Sequence, residues 1–206
     1  MKTIVSLFDF TGFWSQPYFE AGYMVIQIDL KHGDNIMHID RKRVREWGPI
    51  QGVLAAPPCD DFAVSGARWW PEKDRDGRTN ASLALLRHTM NIIDWCEPNW
   101  WALENPVGRI NSLMPEMEVV GPIYFNPCDY GGWLNPPGDH YTKKTGLWGK
   151  FIMPKPKPVE PEMITLSNGK RGSWMWAKLG GKSSRTKELR SATPMGFAKA
   201  FKEANP

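Results

Sequence analysis

Short apolar runs recur through the first half of the chain, each separated from the next by enough residues for a turn and a helix. Residues 3–8 ("TIVSLF"), 23–29 ("YMVIQID"), 52–56 ("GVLAA") and 100–105 ("WWALEN") are strand-length, and 119–125 ("VVGPIYF") is a weaker fifth run. A short helix fits Ser15 to Gly22, ending at the glycine. The longest helical pattern covers residues 80–97. Leu83, Leu86, Met90, Ile93 and Trp95 recur there at helical spacing, with Asn80 as a candidate cap and Pro98 just beyond. Strands alternating with helices imply right-handed crossovers, hence an α/β protein with a doubly wound, mostly parallel sheet. Such sheets hold their ligands beyond the carboxyl ends of the strands. That rule tells where to look for chemistry.

The first run ends in "SLFDFTGFW", where Gly12 allows a tight turn and a close approach of backbone to a ligand. The second ends at Asp29, placed as the acidic residue that contacts ribose hydroxyls in folds of this kind. The third runs into Pro57-Pro58-Cys59, and the fourth into Glu104-Asn105-Pro106. Cys59 alone reads equally well as a small core residue, and Glu104 as a charge at a strand end. Together, a thiol and a carboxyl at one sheet edge make a workable pair for attack on an electron-poor ring.

The remaining third differs in character. Residues 126–190 are rich in proline, glycine and tryptophan, and "PKPKPVEP" (154–161) reads as a stiff extended connector. Thr193 to Ala204 reads as a closing amphipathic helix, with Phe197, Ala200, Phe201 and Ala204 on one face. Residues 141–206 hold 14 Lys and Arg against 4 Asp and Glu, while residues 1–140 hold 12 against 18. A basic region of this kind suits a polyanion, and equally a solvated tail. Three separated cysteines suggest reduced thiols rather than disulfides or a zinc site, and the four histidines do not cluster with other ligands, so no metal is expected. No apolar stretch is long enough for a membrane span, and Asp9 follows the first run without a small-residue cleavage site. A cytoplasmic protein is the expectation.

Taken in order, these residues resemble the DNA (cytosine-5) methyltransferase family in a short, phage-like form. The most specific pieces are "PPCDDF" (57–62), similar to the nucleophile loop, and "ENP" (104–106), similar to the acid motif. "SLFDFTGFWSQPYFEAGY" (6–23) is similar to the first cofactor motif and "IDLKHGDNI" (28–36) to the next two. "DYG" (129–131), "YTKKTGLWG" (141–149) and "RTKELRSATPMGFAKAF" (185–201) fall where the family has its tyrosine-glycine turn, basic motif and late motif.

The resemblance implies a Rossmann-like methyltransferase fold. It implies an S-adenosylmethionine-binding catalytic domain over 1–150, a small irregular target-recognition segment over 151–189, and a C-terminal helix over 190–206 returning to the catalytic domain. It further implies Cys59 as nucleophile and Glu104 as the acid, with Lys143 steadying the target base and Arg190 as a second anchor. Phe8, Gly12, Asp29 and Pro57 would line the cofactor site, with Asp34 or Asn35 at the adenine amino group. The implied partner is double-stranded DNA, bound by a monomer, with the cytosine flipped out of the helix. RNA cytosine, a cofactor carrying another group, and a catalytically silent DNA-binding relative remain open alternatives. Phe10 stands where the family has its first turn glycine, which calls for a differently shaped turn or a narrower pocket. Lys143 keeps a charge but not the fork of the family's arginine. The family's asparagine-containing terminal motif has no counterpart before Pro206. The recognition segment interleaves Trp174 and Trp176 with Lys170, Arg171, Lys178, Lys182 and Arg185, which suits either base stacking or a small satellite core. Its length suggests contact with about two to four base pairs.

Overall fold

The computed structural model describes residues 2–165, 169, 171–175 and 183–206. The chain divides into two compact units, residues 1–124 with 145–151, and residues 125–144 with 152–206.

The first unit is built on a sheet. Strands β1 (Thr3–Leu7), β2 (Met24–Ile28), β3 (Ile50–Ala55) and β4 (Trp100–Pro106) run parallel. Strands β5 (Ile123–Phe125) and β6 (Thr145–Lys150) complete the order β2-β1-β3-β4-β6-β5, with β6 antiparallel to β4. The expected α/β, mostly parallel architecture is therefore present. All five residues of β1 are buried, as a strand covered on both faces requires.

Helix α1 (Gln16–Glu20) joins β1 to β2, and α2 (Arg41–Glu46) joins β2 to β3. Helices α3 (Trp70–Arg75) and α4 (Arg78–Cys96) lie between β3 and β4. Leu83, Leu86, Ile92 and Ile93 of α4 pack with Val44 of α2 and with Val5, Val53 and Leu103 of the sheet in one buried cluster. Helix α4 starts two residues earlier than its apolar pattern suggests. Gly77, left-handed at φ +86°, sits at its N-cap, and the Asp76 carboxylate accepts the Arg78 N–H at 3.1 Å. Asn80 therefore lies within the first turn and is not the cap. A short helix, α5 (Ile110–Leu113), follows β4.

The fifth strand is shorter than its sequence suggests, because Pro115–Val120 form a 3-10 helix with proline at its start. Residues 145–150, read from sequence only as part of a basic motif, form β6. Gly149 shows why the strand was hidden: β4 passes so close that a Cβ would strike the Trp101 backbone, so no apolar side chain can mark that position.

The second unit has its own core. The ring of Phe197, from helix α7 (Met195–Ala204), stacks on Phe125 at 4.0 Å and meets Tyr130 edge-on at 5.2 Å. The run 154–161 forms no helix or strand. Its backbone bonds to the turns at 128–132 through Val159 N to Cys128 O, Lys157 N to Asp129 O, and Gly132 N to Lys157 O. A two-stranded ribbon, β7 (Met163–Thr165) with β8 (Arg171–Ser173), and helix α6 (Ser184–Ser191) complete this unit.

Candidate active site

The register of the parallel strands sets the level of the site. Leu7 pairs with Ile28 on one side and Ala55 on the other, and Ala55 pairs with Leu103. Phe8, Asp29, Ala56 and Glu104 thus each stand one residue beyond that row, on strands about 5 Å apart. Phe8 N donates to Ile28 O and Ala56 N to Leu7 O, carrying the pairing to the rim. Cys59 lies three residues further, on the turn leaving β3. Cys59 and Glu104 are both half-exposed, so neither is sealed from solvent.

The other two thiols differ. Burial pushes the Cys96 thiol up to about 12, and burial followed by the nearby Asp129 charge raises that of Cys128. A thiol held protonated is a poor nucleophile. Of the three cysteines, Cys59 has the most accessible surroundings.

The turn that carries Cys59 is held at nearly every carbonyl. Cys59 O accepts from Phe62 N at 3.0 Å and Ala63 N at 2.9 Å. Asn105 Nδ2 donates to Pro57 O at 2.9 Å. Lys73 Nζ donates to Asp60 O at 2.6 Å and pairs with Asp61 Oδ1 at 2.9 Å. Ser82 Oγ donates to Asp61 Oδ2 at 2.6 Å. Arg109 donates through Nε to Asp61 O at 3.1 Å and through its backbone N–H to Phe62 O at 3.1 Å, while its guanidinium grips Asp74 with two bonds of 2.9 and 2.8 Å. Burial works against the Asp61 carboxylate. The Ser82 hydroxyl and the Lys73 ammonium outweigh it and leave the pKa below the ordinary carboxylate range. The Arg109 guanidinium, then the Thr79 hydroxyl, lower that of Asp74.

The turn after β1 is shaped differently. Phe8 and Gly12 both adopt left-handed backbone, at φ +62° and +71°. Such a conformation is costly for the aromatic residue and free for the glycine. Buried Asp9 anchors this turn: its Oδ2 accepts from Ser6 Oγ, Ser15 Oγ and Ser15 N at 2.9, 2.8 and 3.2 Å. Gln27 Nε2 donates to Asp9 O, and His32 Nε2 lies 3.1 Å from Phe10 O. The Phe10 ring is exposed, with Lys31 Nζ at 4.4 Å and the His32 ring at 5.1 Å from its centre.

Asp29, half-buried, caps the short helix that follows β2 by accepting Lys31 N at 2.8 Å. Asp34 pairs with Arg43 at 2.7 Å, and Asn35 Oδ1 accepts Met37 N at 3.0 Å. Pro57 is buried at the start of the turn that carries Cys59. All eight of these candidates from Phe8 to Glu104 belong to the first unit. Lys143 and Arg190 belong to the second, Lys143 half-buried just before β6 and Arg190 half-buried in the last turn of α6. Trp174 meets Tyr141 edge-on at 5.7 Å, the packing role among its two readings. Lys170, Trp176, Lys178 and Lys182 lie outside the described residues. Among the described residues no group of three or more His, Cys, Asp or Glu could hold a metal, and no helix is long and apolar enough to cross a membrane.

Asp9, Gln27, Asp61, Lys73, Ser82 and Arg109 were not legible as site residues.

No family model matches the chain. A probable DNA (cytosine-5)-methyltransferase of Frog virus 3 (isolate Goorha) is 26% identical over 137 residues, which cover 62% of this chain and 60% of the viral protein. A solved structure, a putative DNA modification methyltransferase encoded within a prophage (E. coli), superimposes with a TM-score of 0.50 at 15% identity. The superposition covers 90% of this chain and 66% of that one. The chain therefore has the fold of a methyltransferase, and its likeness to DNA (cytosine-5)-methyltransferases extends well beyond short motifs. It spans less than two thirds of the length of either relative.

Proposed function

We propose that the protein methylates C5 of a cytosine flipped out of double-stranded DNA, using S-adenosylmethionine and a covalent adduct at Cys59. The observation that carries this reading is that half-exposed Cys59, on the turn leaving β3, and half-exposed Glu104, one residue beyond the last β3–β4 pair, come from neighbouring strands, while the other two thiols are buried. The viral relative's similarity supports the same chemistry.

The residues at the rim of β1 and β2 fit a nucleoside: an aromatic ring at Phe8, an open turn at Gly12, and a carboxylate at Asp29 that can accept from ribose hydroxyls. Asp34 or Asn35 would complete the adenine side, and Pro57 would close it. When bound there, S-adenosylmethionine supplies an electrophilic methyl group. Cys59, as thiolate, adds to C6 of the cytosine and forms the S–C6 bond, moving the C5–C6 electron pair to C5. Glu104 holds a proton at ring N3 and stabilises this addition. The electron pair at C5 would take the methyl group, leaving S-adenosylhomocysteine; the C5 proton would then pass to a water molecule as the C5–C6 double bond reforms and the S–C6 bond breaks to return the thiolate. Lys143 and Arg190 would steady the target strand, and the basic residues of 141–206 would contact phosphates.

The test is incubation with methyl-labelled S-adenosylmethionine and duplex DNA, then digestion to nucleosides. Label in 5-methylcytosine is the expected result. Label in RNA alone would move the substrate to RNA, and DNA binding without transfer would mark a silent relative.

A further inference from the structure

We infer that Lys73, Asp61, Ser82 and Arg109 form a clamp that presets the Cys59 turn before any DNA arrives, so that Lys73 and Arg109 are positioning residues for the nucleophile. The inference rests on the proposed function for its catalytic meaning, but the clamp itself is a property of the free protein. Between Pro57 and Phe62, the carbonyls of Pro57, Cys59, Asp60, Asp61 and Phe62 each accept a hydrogen bond. A loop that closes only around its substrate leaves such carbonyls to water. Beyond the turn, Val64 N donates to Val107 O at 2.9 Å, and Ala63 bridges Gly108, so the exit is tied to the segment after β4.

Two of the ties come from cations reaching in from elsewhere. The Lys73 side chain, 12% exposed, bonds both the Asp60 carbonyl and the Asp61 carboxylate. The Arg109 side chain, 11% exposed, bonds the Asp61 carbonyl and is oriented by its two-pronged grip on Asp74 and by the Trp70 ring 4.6 Å away. Each cation meets its own carboxylate. Their joint effect on the turn is therefore geometric: they fix the path of residues 60–62 and so the place of the adjoining Cys59. A nucleophile that needs no reordering contributes through orientation rather than through a new contact.

Amide hydrogen exchange on the DNA-free protein, paired with steady-state kinetics, tests this. In the unmodified chain the amides of Phe62, Ala63 and Val64 should exchange slowly. Lys73→Met should speed them about tenfold, the effect of losing a charge-assisted bond. Lys73→Arg should restore protection, and Ser82→Ala, which leaves the ion pair in place, should give a smaller acceleration with the fold intact. Methyl transfer should follow: in Lys73→Met, kcat falls about tenfold while KM for S-adenosylmethionine stays unchanged. Fast exchange in the unmodified chain, or full protection in both Lys73→Met and Ser82→Ala, would overturn the clamp. If protection depends on Lys73 and Ser82 but the unmodified chain transfers no methyl group, the clamp stands and the functional reading fails.

Discussion

Two turns leave the same rim of the sheet, one after β1 and one after β3, and they are fixed in opposite ways. The turn after β1 is shaped by its own residues. Left-handed Phe8 and Gly12 set its path, and Asp9 bonds to Ser6 and Ser15 within the same short stretch. The turn after β3 contains two prolines and closes on itself at Cys59 O, but its remaining ties come from outside, from Lys73, Ser82, Asn105 and Arg109. The first turn is shaped mainly within its own stretch, with Gln27 and His32 adding ties from β2 and the segment after it, so it should respond most strongly to changes in its own residues. The second depends on two helices and the neighbouring strand, so distant substitutions should reach it.

Reciprocal substitutions would separate the two most sharply. Cys59→Ala should reduce methyl transfer to background while cofactor affinity stays as it was. Gly12→Ala should do the converse, weakening cofactor binding about tenfold through the cost of a left-handed alanine, with alkylation of Cys59 unchanged. Equilibrium binding of S-adenosylmethionine and thiol alkylation rates read both. If Gly12→Ala alters alkylation as strongly as binding, the turns are one coupled unit and the contrast fails.

Acid gives a smaller effect. The Asp61 and Asp74 carboxyls have pKa values lowered by their partners, so what they contribute is fully present above the unfolded carboxyl value of about 3.9 and is lost as pH falls through the lower folded values. Amide shifts of residues 60–64 should stay constant from neutral pH to about pH 4 and change only below it. A transition centred well above that value would show that these carboxylates do not hold the turn.

The same contrast explains what could be read in the sequence. The strands β1 to β4 are marked by continuous apolar runs, and α4 and α7 by apolar residues at helical spacing, so the sheet edge and the places of Cys59, Glu104 and Asp29 were all legible. Strand β6 was not, because Gly146 and Gly149 replace the apolar side chains that would have announced it. The Asp9 anchor is local, yet buried carboxylates look like exposed ones until their donors are known. The ties on the Cys59 turn were further out of reach: Lys73 contacts Asp60 across 13 positions, Ser82 meets Asp61 across 21, and Arg109 reaches it across 48. Nothing in spacing or periodicity joins residues that far apart.

Everything proposed for the site requires the sulfur after β3 to become bonded to a pyrimidine ring. A duplex carrying 5-fluorocytosine blocks loss of the group at C5 after methylation and traps that bond. Incubated with the protein and S-adenosylmethionine, then denatured and mapped by peptide mass, it should yield a covalent complex on Cys59. A complex on another residue, or none with DNA that the protein demonstrably binds, would contradict the assignment of Cys59 as the nucleophile.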